Sequence, residues 1–185
     1  MSQLTKKALA ASLEKILIRK PLDKVTIKDI TEDCGVNRMT FYYHFQDIYD
    51  LVEWMLYEEA IESMKGIDAG DWERGCLQVF YKVRENKSVI TNIYNSSYRS
   101  NVSKYLLDIV HGLIYGVVSK AAKELSVDDE QVAFITKFYQ YGFVGIVMEW
   151  ISDGMKQDPK YLVRYSFQGV RDTLQIALKN IRTIK

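Results

Sequence analysis

Apolar residues recur at spacings of three and four along most of this chain, and no stretch shows the alternation of a half-buried strand. Leu9, Leu13, Ile16 and Leu17 form one stripe, which predicts a first helix over about 5–18, ended by Pro21. Thr26 suits the N-cap of a second helix, with Asp29 at the capping-box position and Ile27 and Ile30 on one face. Gly35 supplies the left-handed conformation that ends it, and Val36 plugs the turn. Asn37 caps a third helix to about residue 44, on which Phe41 and Phe45 share a face. Asp47 caps a fourth, running to about Met64, with Leu51, Trp54, Met55 and Ile61 as its buried positions. The segment Lys65–Asp71 holds Gly66 and Gly70 and reads as a boundary, with Asp71 capping the next helix. Further helices are predicted over about 72–85, 88–95 and 99–124, from the acidic run at 128–130 to about Ser152, and from Asp158–Pro159 to about Ile181. The predicted fold class is all-α, with about nine helices.

The last two helices carry more apolar surface than one chain needs. Between Tyr139 and Ile151 apolar residues point to every side, and Gly142 and Gly145 would let another helix approach beside Ile146. In the final helix Val163, Phe167, Val170, Leu174, Ala177 and Ile181 recur at helical spacing. The expectation is a homodimer through these two helices.

Residues 26–45 describe a helix-turn-helix: two short helices meeting across a tight, glycine-containing turn. With Phe41 and Phe45 turned inward, Arg38, Met39, Thr40, Tyr42, Tyr43 and His44 are left to face elsewhere. Arg38, in the first turn, suits bidentate pairing with a guanine edge, and Tyr42 one turn on can meet a thymine methyl or a phosphate. Met39 and Tyr43 offer apolar contact. Thr40 and His44 suit phosphates, as do Thr26 and Lys28 where the preceding helix presents free N–H groups. Lys6 and Lys7 could add phosphate contacts.

These residues also carry a resemblance. Thr40, Phe41, Tyr42 and Phe45 match the T-[F/L]-Y-x-x-F pattern that ends the recognition helix of TetR/AcrR-family transcriptional regulators. The run from Pro21 to Trp54, with NRMTFYYHFQD at its centre, is most similar to the branch of dihydroxyacetone kinase regulators. The resemblance implies a three-helix DNA-binding head over 1–46 and a helical effector-binding and dimerisation body over 47–185, the helix of about 47–64 joining them. It further implies a four-helix bundle between subunits, a small-molecule pocket in the body, and most often repression. In this branch a kinase-like protein partner can do the sensing. One departure stands out: the family commonly has a phosphate-holding lysine just after the cap of the fourth helix, and here that position is Ile48.

Charge fits this picture. Residues 1–46 hold eight Lys/Arg and five Asp/Glu, a balance of +3, whereas residues 47–65 hold one Lys and six Asp/Glu, a balance of −5. A basic front end suits phosphates. The body is rich in amphipathic aromatics, and Tyr94, Tyr98, Tyr105, Tyr115, Tyr139 and Trp150 are the candidates for an effector pocket, with Phe138 and Phe143 nearby in sequence. His44 and His111 are the two histidines, Cys34 and Cys76 show no ligand spacing, and no glycine-rich phosphate loop or G-x-S-x-G occurs. No catalytic residue, metal site or cofactor is expected. The N-terminus lacks an apolar signal core, and the apolar run at 139–151 is too short to span a membrane, so the expected compartment is the cytoplasm. The expected partners are a double-stranded DNA operator, pseudo-palindromic because a two-fold dimer reads it, a second copy of the chain, and a small-molecule effector.

Overall fold

The computed structural model describes residues 2–63, 65–66, 72–123, 125 and 127–181. Among them are nine α-helices and no strand: α1 Ser2–Leu17, α2 Ile27–Cys34, α3 Arg38–His44, α4 Ile48–Ser63, α5 Trp72–Glu85, α6 Lys87–Tyr94, α7 Arg99–Lys123, α8 Asp129–Ser152 and α9 Pro159–Ile181. Met64, the segment 67–71 with its expected Asp71 cap, and Glu124 lie outside the described residues. The pattern did not anticipate a short 3-10 turn at Leu22–Lys24, which follows the fixed backbone of Pro21 and buries Leu22.

Local chemistry explains the bounds. The Thr26 hydroxyl accepts from the Asp29 N–H at 3.1 Å, while the Asp29 carboxylate accepts from the Thr26 N–H at 2.8 Å, a complete capping box. Gly35 ends α2 at φ 72° and ψ 29°, where a side chain would be strained. Asp128 caps α8 through the Gln131 N–H at 2.8 Å. Pro159 begins α9, where its missing N–H costs nothing.

The chain packs as two compact units, Met1–Ser100 and Asn101–Lys185. In the first, α1 is the hub and lies against α2, α3, α4 and α6. Leu9, Leu13, Leu17, Ile30, Phe41 and Leu51 are sealed from solvent there. The burial of α4 falls on Leu51 and Val52, early in the helix. Trp54 and Met55 are half-buried, and Ile61, expected inside, is exposed. In the second unit α8 and α9 pack together, and Val118, Ala122, Val132, Ile135, Leu174 and Leu178 form the core. Buried Gln140 ties α8 to α7 by donating to the Leu107 carbonyl at 2.8 Å and meeting His111 Nδ1 at 3.3 Å. By length and composition α7 alone among the described helices is long and apolar enough to cross a membrane.

Candidate nucleic-acid interface

The second helix of the pair, α3, rests on two anchors. Asn37 Oδ1 accepts from the Thr40 N–H at 2.8 Å and from the Thr40 hydroxyl at 3.0 Å. Phe41 is wholly buried and Phe45 nearly so, their ring centroids 6.0 Å apart. With those side chains inside, the helix turns the others outward. Arg38 is exposed, Met39 is 77% exposed, Tyr43 is 83% exposed, and Tyr42 stands half-exposed with its edge against Phe41. His44 is half-buried, its ring edge-on to Tyr43 at 5.0 Å. An exposed arginine, thioether and two phenols on one short capped helix are what a groove of base edges requires.

The two threonines differ. Thr26 accepts a hydrogen bond in its cap and its hydroxyl faces the Asp29 carboxylate, so a phosphate contact would draw the hydroxyl hydrogen away from that acid. Thr40 already donates to Asn37, so a phosphate contact would need that hydrogen to turn away. Lys28 reaches Glu32 at 3.6 Å across an exposed helical turn, a loose pair that a phosphate can replace. Lys6 holds its ammonium 5.2 Å from the Phe45 ring centroid and 5.7 Å from that of Trp54, which fixes it next to the C-terminal end of α3. Lys20 bonds Asp29 at 2.7 Å. That bond, reinforced by the Thr26 N–H and hydroxyl, holds the Asp29 carboxyl down at about 2, so its charge at the start of α2 is permanent but paired. The Lys20–Asp29 pair was not anticipated; an acid nine residues from a lysine has no local spacing rule to mark it.

The family-level comparison agrees with this geometry. Residues 9–55 match the model for bacterial regulatory proteins of the tetR family, and residues 70–172 match a transcriptional regulator C-terminal region. The chain belongs to the TetR family of transcriptional regulators. No match was found among curated proteins. Two solved structures share the fold. The dihydroxyacetone kinase operon activator DhaS superposes with a TM-score of 0.71 at 19% identity, over 93% of this chain and 97% of that one. Native NalD, the secondary repressor of the MexAB-OprM multidrug efflux pump in Pseudomonas aeruginosa, superposes with a TM-score of 0.53 at 18% identity, over 90% of this chain and 97% of that one.

In this TetR-family chain two of the six aromatic candidates for an effector pocket belong to the first compact unit and four to the second. Tyr94 and Tyr98 are buried in the first unit, where Tyr98 stacks on Tyr49 at 4.5 Å and donates its hydroxyl to Glu53. In the second unit Tyr105 is half-buried and Tyr115 is half-exposed, stacked on His111 at 5.9 Å. Tyr139 bonds Thr173 through its hydroxyl at 2.7 Å, and Trp150 is buried with its N–H donated to the Gln157 carbonyl at 2.9 Å.

The dimer candidates divide. Gly142, Ile146 and Val170 line an open apolar groove of about 820 Å³ between α8 and α9, together with Phe134, Phe138 and Tyr165. Gly145 is exposed on α8, and Phe167 is half-buried on α9. Leu174 is buried in the unit's own core, as is the stripe member Val163, because the packing of α8 on α9 claims that side of the helix. The exposed side of α9 is instead Tyr161, Tyr165 and Ile176, which lie off the apolar stripe.

Proposed function

We propose that the protein is a cytoplasmic, homodimeric repressor that binds a pseudo-palindromic operator and releases it when a small-molecule effector binds. The observation that carries this reading is the outward row of Arg38, Met39, Tyr42 and Tyr43 on a doubly anchored α3. Arg38 reads a guanine edge, Tyr42 a thymine methyl or a phosphate, and Met39 and Tyr43 add apolar contact. Thr26, Lys28, Thr40 and His44 hold phosphates and set the register. The groove between α8 and α9 takes the same pair of helices from a second copy, and the two-fold axis so made gives the operator its symmetry. Both signs of control occur on this fold, DhaS being named an activator and NalD a repressor. The effector works by preferring one spacing of the two reading heads while the operator prefers another.

Selection from random duplexes tests the reading. Enrichment of an inverted repeat bound by a dimer supports it; an asymmetric single site, or no enrichment, sinks it.

A second reading has its own support. α7 leaves Ile109, Tyr115 and Val117 open to solvent, and exposed apolar surface of this kind is what a protein partner covers. In that reading a kinase-like partner does the sensing. Adding the dialysable and the retained fractions of a cell extract separately to the operator complex distinguishes the two. Release by the dialysable fraction supports direct sensing, and release by the retained fraction alone supports the partner.

A further inference from the structure

The end of α6 and the turn that follows it are fastened to the head and to α4 through three residues, Asn92, Ser97 and Tyr98. Asp23, in the 3-10 turn that feeds α2, accepts from the Ser97 N–H through both carboxylate oxygens, at 3.1 and 3.0 Å, and from the Ser97 hydroxyl at 2.7 Å. Asn92 donates its side-chain amide to the Leu17 carbonyl at 2.7 Å, one of the carbonyls left without a helical partner at the end of α1. Tyr98 donates to Glu53 and stacks on Tyr49, both on α4. The turn itself is stiffened, since Ser96 Oγ accepts from the Tyr98 N–H at 3.2 Å and the Arg99 guanidinium lies 4.4 Å from the Tyr94 ring centroid.

Two features of this arrangement exceed what holding a fold requires. Asp23 and Ser97 are exposed and 74 residues apart in sequence, yet a whole carboxylate is committed to one residue. Charge-assisted bonds of this kind are the strong ones. The bonds also join two particular places. One is the connection that leads, three residues on, into the Thr26 cap of α2. The other is this turn, which along the chain stands just before the first unit ends, after Ser100, and the second begins.

We propose that the α6–α7 turn is a latch that sets the pose of the helix-turn-helix, with Asp23 as its positioning residue, so that operator binding and the state of the turn are coupled through the Asp23–Ser97 bonds. The proposal rests on the reading of α3 as the DNA-contacting helix. Coupling of this kind is reciprocal: if the latched turn favours the operator-bound head, the operator tightens the latch.

Hydrogen exchange of the full-length protein, with and without the duplex recovered by selection, reads both halves at once. In the wild type the duplex slows exchange of the α3 amides by contact and of the Ser97 amide by coupling. In Asp23→Ala, at saturating duplex, the α3 amides still slow and the Ser97 amide no longer responds. Operator affinity falls by about fivefold or more, the lower end of ordinary coupling. Asp23→Asn, which keeps one carbonyl acceptor, falls between the two. Ser97→Ala, combined with Asp23→Ala, adds less than it does alone. A wild-type Ser97 amide indifferent to the duplex, with α3 protected, overturns the latch and leaves the reading of α3 standing. So does an Asp23→Ala protein that melts earlier but binds the operator as the wild type does. If the duplex fails to protect α3 in the wild type, the DNA reading itself falls and the latch with it.

Discussion

The short helix α3 and the α8–α9 pair both expose large apolar side chains, and the two exposures differ in kind. On α3, Met39 and Tyr43 stand out singly beside Arg38, on a helix only seven residues long whose inner face is one buried phenylalanine. On α8, Phe134, Phe138, Tyr141 and Ile146 line one groove, to which α9 adds Tyr165 and Val170. The first pattern interleaves apolar contact with hydrogen-bond donors and suits the chemically mixed floor of a DNA groove. The second is a contiguous apolar surface of the sort that marks a protein interface. Exposure alone assigns nothing; the company an exposed side chain keeps does.

The sharpest way to break the comparison is to exchange inside for outside on α3. Phe41→Ala removes a wholly buried ring and should cost about 3–5 kcal/mol of stability in urea unfolding. Tyr43→Ala, on the same helix, should change stability by no more than about 0.5 kcal/mol while weakening operator binding. Comparable unfolding midpoints for the two variants would defeat the assignment of inner and outer faces.

The α8–α9 side of the comparison is tested at Gly142. A Cβ there meets nothing within 4 Å and the position is exposed, so within a single subunit a side chain can leave the helix toward solvent. Gly142→Trp should therefore leave subunit stability unchanged and weaken dimerisation by about 2 kcal/mol or more, as a change at the centre of an interface does. Sedimentation of both proteins measures this, and a wild-type chain that stays monomeric at micromolar concentration removes the interface altogether.

Arg38→Ala returns to α3 with a smaller expected effect, about 1–3 kcal/mol on the selected operator, together with relaxed preference at one base pair per half-site. An unchanged ratio of specific to scrambled binding would move Arg38 from base reading to phosphate contact. Lys28→Ala supplies the contrast, weakening both duplexes alike and flattening the salt dependence by roughly one contact.

How far the sequence alone reveals the fold depends on how local the determinants are. The capping box at Thr26 and Asp29, the left-handed Gly35 and the Asn37 cap are each set within four residues, and so the head was legible almost to the residue. In the rest of the chain the helices were legible from their apolar spacing, and the start of α8 from its Asp128 cap. Which face of a helix meets which neighbour was not. The recurring residues of α9 pointed to a dimer seam, but Val163 and Leu174 are used inside the subunit. The aromatic candidates were grouped by residue type, which says nothing of their placement: Tyr94 and Tyr98 are buried in the first unit and Tyr115 is half in solvent. The Asp23–Ser97 bonds span 74 residues between two polar loops and have no periodic signature at all.

The smallest expected effect concerns the cap that holds α2 beneath the reading helix. The Asp29 carboxyl is lowered from 3.8 to about 2, first by the Lys20 hydrogen bond and then by the Thr26 N–H and hydroxyl. A carboxyl depressed in the folded state stabilises the fold above its unfolded value. That contribution is complete above about pH 4 and drains away as pH falls toward the folded value of about 2. Lys20 and Asp29 are each 37% exposed, so solvent screens the pair and its net worth stays within about 1 kcal/mol. Lys20→Met should raise the Asp29 carboxyl toward 3.8 in an NMR titration, with a small loss of stability at neutral pH that vanishes in strong acid. Thr26→Ala, which removes the hydroxyl of the same cap, should cost about 1 kcal/mol at neutral pH. An Asp29 titration that Lys20→Met leaves in place would show that the backbone N–H of the cap, and not the lysine, keeps this carboxylate charged. The front of α2 would then hold its geometry without help from the turn that follows α1.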